Sequence, residues 1–241
     1  MGYRFGQRND ISFLFRRLIP QPLKRTTPFR YIACKYSLLL CELGGGGLEC
    51  TPLNNIYEPI LRQKGMRPKK SLVDYEEEIL ADEELKKIHG QIAISDTFYF
   101  FFSLIREIKP KIIIETATAA CRVTSFMVAA LNNNKSGKLV SIDIPPKVDQ
   151  LQMNETINKG HIGYYIPERY RKYWEIRFAD AIVILPRLLI EHTCDIFIHD
   201  SLHTRTHMLF EFSVARALVR EGAIICSMIS PGTTRFRSFS I

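Results

Sequence analysis

Residues 194–212 read CDIFIHDSLHTRTHMLFEF. The stretch opens on Asp195-Ile-Phe-Ile, a short apolar run rich in β-branched and aromatic residues, which predicts a buried strand. It breaks into His199-Asp200-Ser201-Leu202-His203 and then resumes with helical spacing. A buried strand that ends in acid and imidazole groups and feeds directly into a helix is how an open α/β sheet presents chemistry at the carboxyl ends of its strands.

Working outward, the same grammar recurs upstream. Ser95 to Ile108 carries Phe98, Phe101, Phe102 and Ile105 at helical spacing and ends at Lys109-Pro110, so a helix packed on the sheet is expected. Lys111 to Glu115 (KIIIE) is a short apolar strand ending in an acid. The small-residue turn Thr116-Ala-Thr-Ala-Ala-Cys121 follows, then a helix from Arg122 to Asn132 and a second strand, Lys138 to Asp143 (KLVSID). Strand, small-residue turn, helix and a strand closing on a carboxylate make a nucleotide-binding βαβ unit. Small residues let the backbone approach a ligand, and a carboxylate offers two acceptor oxygens to a ribose diol. Upstream again, Ser71 with Asp74 marks a helix start, and the acidic run Asp74 to Glu84 followed by Lys86 and Lys87 matches a helix dipole at both ends.

Composition sets the bounds. The 241 residues, 46% hydrophobic and 24% charged, can bury a full core, and no apolar run approaches a membrane span. The formal charge of +8 is concentrated at the start: residues 1–36 hold eight Lys and Arg against Asp10, a net +7. A solvated basic arm accounts for that more simply than a nucleic-acid surface does. The six cysteines show no zinc-type spacing, and Cys194 and Cys226, in apolar strand-like runs, are read as reduced thiols of a cytoplasmic protein. Residues 1–65 are expected to be a partly irregular basic extension, with a short helix over Ile11 to Ile19 and Gly44 to Gly47 as linker, and residues 66–241 the α/β domain.

The stretches ETATAACRVTSFM (115–127), GKLVSIDIP (137–145), GYYIPERYRKYWEIRFADA (163–181), DIFIHDSLHTRTHMLFEF (195–212) and REGAIICS (220–227) resemble, in order, those of class I S-adenosylmethionine (SAM)-dependent methyltransferases. Within that class they resemble the branch of small-molecule O-methyltransferases and cephalosporin-hydroxylase-like proteins. The resemblance implies a Rossmann-like, mostly parallel sheet of order 3-2-1-4-5 with helices on both faces, SAM as cofactor and a small-molecule hydroxyl, of a sugar or secondary metabolite, as methyl acceptor. Glu115 and the turn Ala117, Thr118 to Cys121 would then line the methionine and ribose part of SAM. Asp143 would hold the ribose hydroxyls, and Asp180 would sit near the adenine, after the third strand Trp174 to Phe178. In metal-dependent relatives the acid after the fourth strand, here Asp200, binds a divalent cation, and a basic residue three positions on, here His203, deprotonates the acceptor. Read from the residues alone, Glu115 can equally cap the next turn, Asp180 can cap the helix after it, and His199, His203 and His207 can decorate a strand–helix junction.

Two departures from the family pattern accompany this. Ala117 and Cys121 stand where glycine is usual; if either has positive φ, the side chain costs on the order of 1 kcal/mol or blocks the ligand's approach. Met228 and Ile229 stand where a pair of acids normally completes the metal site, which leaves Asp200 a poor cage for a hard cation. The last twelve residues leave no room for the two further strands that usually close the sheet, so an open apolar edge is expected. Its cover is expected from the basic N-terminal segment or from a second copy in a homo-oligomer, unless the sequence is a fragment. A catalytically silent, methyltransferase-like binding module is the alternative to an enzyme.

Overall fold

The computed structural model describes residues 30–33, 38–42, 49–51, 53–91, 96–144 and 162–228. The expected helix over 11–19 and the Gly44–Gly47 linker lie outside them.

Five parallel strands form the centre: β4 (Ile112–Thr116), β5 (Lys138–Asp143), β6 (Trp174–Phe178), β7 (Ile196–His199) and β8 (Ile224–Ser227). They lie in the order β6-β5-β4-β7-β8, which in chain order is 3-2-1-4-5, as expected. Their cores, III, LVSI, IFI and IIC, are apolar on both faces because helices cover both faces. On one face Ile113, Leu139, Ile196, Ile198, Ile224 and Cys226 pack with aromatic residues of α4 (Asp96–Ile108) and with α5 (Arg122–Asn134). On the other, Ile114, Val140, Ile142, Phe197 and Ile225 pack with α6 (Ala181–Glu191) and α7 (Arg205–Leu218). The Phe98 and Phe126 rings meet edge to face at 5.0 Å between centroids, joining α4 to α5.

The sheet does not end at β8. Three strands, β1 (Arg30–Ala33), β2 (Leu38–Glu42) and β3 (Glu49–Thr51), extend it, so that the full order is β3-β2-β1-β8-β7-β4-β5-β6. β1 runs parallel to β8, pairing Tyr31 with Ile225 and Ala33 with Ser227, and β2 and β3 follow antiparallel. The edge expected to lack its last two strands is thus filled from the other end of the chain. These pairings satisfy the backbone groups that a bare β8 would expose, and this edge calls for no second copy of the chain.

The acidic stretch 71–87 also differs from the expected continuous helix. Ser71 and Asp74 do form a reciprocal capping box at the start of α2 (Leu72–Leu80). The helix then stops, and α3 (Glu83–Gln91) begins with the Asp82 carboxylate accepting from the N–H groups of Glu84 and Leu85. An aspartate ahead of two glutamates is a better helix start than a helix interior, which is why one acidic run makes two helices. A further helix, α1 (Leu53–Gln63), precedes them.

Candidate active site at the carboxyl ends of the strands

The strand ends carry alternating side chains, so neighbouring residues serve opposite faces of the sheet. Glu115 turns toward α5 and is fully buried, accepting from Thr124 Oγ1 (3.1 and 3.2 Å) and Ser141 Oγ (2.8 Å). Burial pushes its carboxyl up to about 8, and the charges of Asp200 and Asp143 add to the rise. Asp143, at the end of β5, holds the turn after β4: its Oδ2 accepts from Thr118 N (2.8 Å), Thr118 Oγ1 (3.2 Å) and Ala119 N (3.1 Å).

That turn is built with side chains in conformations that favour glycine. Ala117, Ala119 and Cys121 have φ of 60, 47 and 63°, so the two positions flagged in the sequence do adopt positive φ, and Ala119 joins them. Cys121 is enclosed, its Sγ accepts from Gly163 N at 3.2 Å, and burial pushes the thiol up to about 12. Its side chain is packing material, not a nucleophile.

Asp180 caps α6, accepting from Ile182 N at 2.9 Å, as the plainer reading of that residue required. The cap leaves it exposed at the end of β6, near the exposed side chains of Phe178 and Ile182. Ile144 is likewise exposed, one residue past Asp143, which is the register partner of Phe178. Apolar surface of this kind beside carboxylates at adjacent strand ends fits a purine nucleoside.

On the other face lies a polar cluster centred on Glu211 of α7, a residue the sequence reading did not single out. Glu211 is fully buried. Its Oε2 accepts from Thr116 Oγ1 and His199 Nδ1, both at 2.7 Å, and its Oε1 from Ser201 Oγ and His207 Nε2, both at 2.8 Å. Burial alone would push its pKa up; the hydrogen bond and charge of His199, with Thr116 and Ser201, outweigh that and hold the carboxyl below its ordinary range. The available signal was His207 and Glu211 one helical turn apart, the i,i+4 spacing of a facing pair.

Asp200 and His203 lie in the loop between β7 and α7, half-buried, with His203 Nε2 3.6 Å from Asp200 Oδ1. The histidines do gather, with ring centroids 5.3 Å apart for His199 and His203 and 6.4 Å for His199 and His207. His199 and His207 gather on the Glu211 carboxylate, while His203 faces Asp200. Among the described residues no three His, Cys, Asp or Glu side chains are placed to hold a metal ion. Glu211 has no lone-pair direction left, and the chain turns from β8 into buried Met228. Asp200 alone does not fit a divalent cation.

A parallel sheet of order 3-2-1-4-5 with acids at the ends of its first two strands is a Rossmann-like α/β arrangement. Residues 118–227 match a family model described as a methyltransferase domain. Similar solved structures include the O-methyltransferase TomG from Streptomyces achromogenes in complex with SAM, at 20% identity, covering 60% of this chain and 64% of that one with a TM-score of 0.44. Podospora anserina methyltransferase PaMTH1, bound to S-adenosylhomocysteine (SAH), is 15% identical over 64% of this chain and 60% of that one, with a TM-score of 0.41. An O-methyltransferase from Bacillus cereus in complex with SAH is 15% identical over 69% and 70%, with a TM-score of 0.38. The chain spans 64% and 60% of the first two. No curated protein sequence matches it. No helix among the described residues is long and apolar enough to cross a membrane.

Proposed function

We propose that this chain transfers a methyl group from SAM to a hydroxyl of a small molecule. The observation that carries the reading is the placing of Glu115 and Asp143 at the carboxyl ends of the first two strands of a 3-2-1-4-5 sheet, with Asp143 holding the small-residue turn after β4. SAM supplies an activated methyl on a sulfonium with its own leaving group, so the protein need only bind, align and manage one proton. Asp143 takes the ribose hydroxyls in exchange for its contacts with Thr118 and Ala119. Glu115, Ala117, Thr118 and Cys121 line the methionine end, and Asp180 with Phe178 and Ile182 flanks the adenine. Asp200 and His203 meet the acceptor hydroxyl, whose proton passes to an imidazole. The buried free thiols of Cys121, Cys194 and Cys226 suit a reducing compartment, the cytoplasm.

A second reading, a silent binding module, is favoured by one observation: the enclosed Cys121 side chain at a positive-φ position of the turn. Incubation with SAM tritiated on the methyl group and a panel of phenols and sugars separates the two. Label in a neutral methylated product supports the enzyme; a folded protein that binds SAM and transfers no label to any of them supports the module.

A further inference from the structure

Two buried polar atoms at the carboxyl end of the sheet have no hydrogen-bond partner among the described residues, and they belong to neighbours. His199 ends β7 and Ser227 ends β8, and the two are register partners on parallel strands, so both side chains leave the same face. His199 Nε2 and Ser227 Oγ are each enclosed and each unpartnered. Leaving one such group unmatched is costly, and two on register-paired residues mark a place suited to a polar atom that the described residues do not supply.

The other side of the His199 ring is fully specified. A carboxylate only accepts, so the 2.7 Å contact to Glu211 Oε2 fixes a proton on Nδ1, and in the neutral ring Nε2 is then a bare lone pair. Glu211 is fixed in turn by Thr116, Ser201 and His207, from a neighbouring strand, the loop and its own helix. The ionisable groups around the ring are Glu211 and His207 from α7, and His203 and Asp200 from the loop. The flanking strands contribute neutral Thr116 and Ser227. A buried carboxylate, an imidazole held in one tautomer and a free Nε2 form the arrangement used for general-base catalysis.

We propose that His199, oriented by Glu211, takes the proton of the methyl-acceptor hydroxyl, with the Ser227 hydroxyl beside it to hold the same oxygen. The inference rests on the methyl-transfer reading and deepens it. As the hydroxyl proton moves to Nε2, the oxygen's electron pair forms the bond to the methyl carbon. The carbon–sulfur pair returns to sulfur, giving SAH, and the imidazolium stays paired with the Glu211 carboxylate until it releases its proton to solvent. Glu211 touches no reacting atom and is a positioning residue. The His203 ring lies close to that of His199, and its contact with Asp200 suits it to orient the acceptor rather than to act as the base.

The test uses the full chain carrying ¹⁵N-labelled histidine, with SAH present and phenol as the hydroxyl probe; the His199→Gln spectrum assigns the signals. The expected result is a His199 ring protonated at Nδ1, with an Nε2 resonance that moves upfield as phenol is added. In Glu211→Gln the single tautomer should give way to a mixture while the circular dichroism of the fold persists. A ring protonated at Nε2, or an Nε2 resonance unmoved by phenol while SAH binds, overturns the proposal alone. A Glu211→Gln protein that melts lower but keeps a pure Nδ1–H tautomer overturns the positioning role. Failure of SAH to bind overturns the methyl-transfer reading and the proposal with it.

Discussion

His199 Nδ1 lies 2.7 Å from Glu211 Oε2, and neither side chain has any exposed surface. Removing one member of such a pair strands the other without its partner, at a cost of about 3–5 kcal/mol. Glu211→Ala should therefore lose stability on that scale in urea denaturation at pH 7, and the double variant with His199→Ala should lose much less than the two single losses combined. Because the Glu211 carboxyl is held below its ordinary range, its contribution is present above the unfolded pKa and fades as pH falls through the folded one. Glu211→Gln should remove that acid sensitivity.

Glu115 gives the opposite sign. Its carboxyl is raised from 4.5 to about 8 by burial. The folded form keeps a proton that the unfolded form gives up, so its contribution is fully present below about 4.5 and is lost as pH rises toward 8. Glu115→Gln should be flatter in stability than the parent between pH 5 and 8. A variant that tracks the parent across that window contradicts the assignment.

The turn offers a contrast between two glycine substitutions. Ala117→Gly relieves a φ of 60° and loses only a methyl group, so a gain of up to about 1 kcal/mol is expected. Cys121→Gly also relieves positive φ, but it empties a buried site and leaves Gly163 N without its acceptor. It should be destabilising by about 1–3 kcal/mol. Thermal melts of the two variants should move in opposite directions.

Gly137, between α5 and β5, has φ of +87°, and a Cβ there would stand 2.3 Å from the Pro110 carbonyl oxygen. Backbone cannot yield that far without shifting β4 against β5. Gly137→Ala should cost more than about 2 kcal/mol, read by urea denaturation.

The parallel sheet was legible because KIIIE, KLVSID and DIFIH are apolar runs too short for helices, and each ends on a polar group. Glu115 and Asp143 stood out for the same reason: a carboxylate at a strand end is visible in one dimension. Glu211 was not, since its significance depends on four donors drawn from β4, β7, a loop and its own helix, which only the fold brings together. Nor could the partner of β8 be chosen. Tyr31 to Ala33 lie nearly two hundred residues from Ile225 to Ser227, and no local pattern selects one edge pairing over another. The break at Asp82 was missed because an acidic run reads as one helix face until the aspartate's capping bonds are seen.

Methyl transfer by this site requires that its Asp143 end take the ribose of SAM. Calorimetric titration of SAH into the folded full chain, and into Asp143→Ala, tests this directly. Binding at the micromolar level in the parent and none in the variant is the predicted result. No heat in the parent, or equal binding in both, would contradict it.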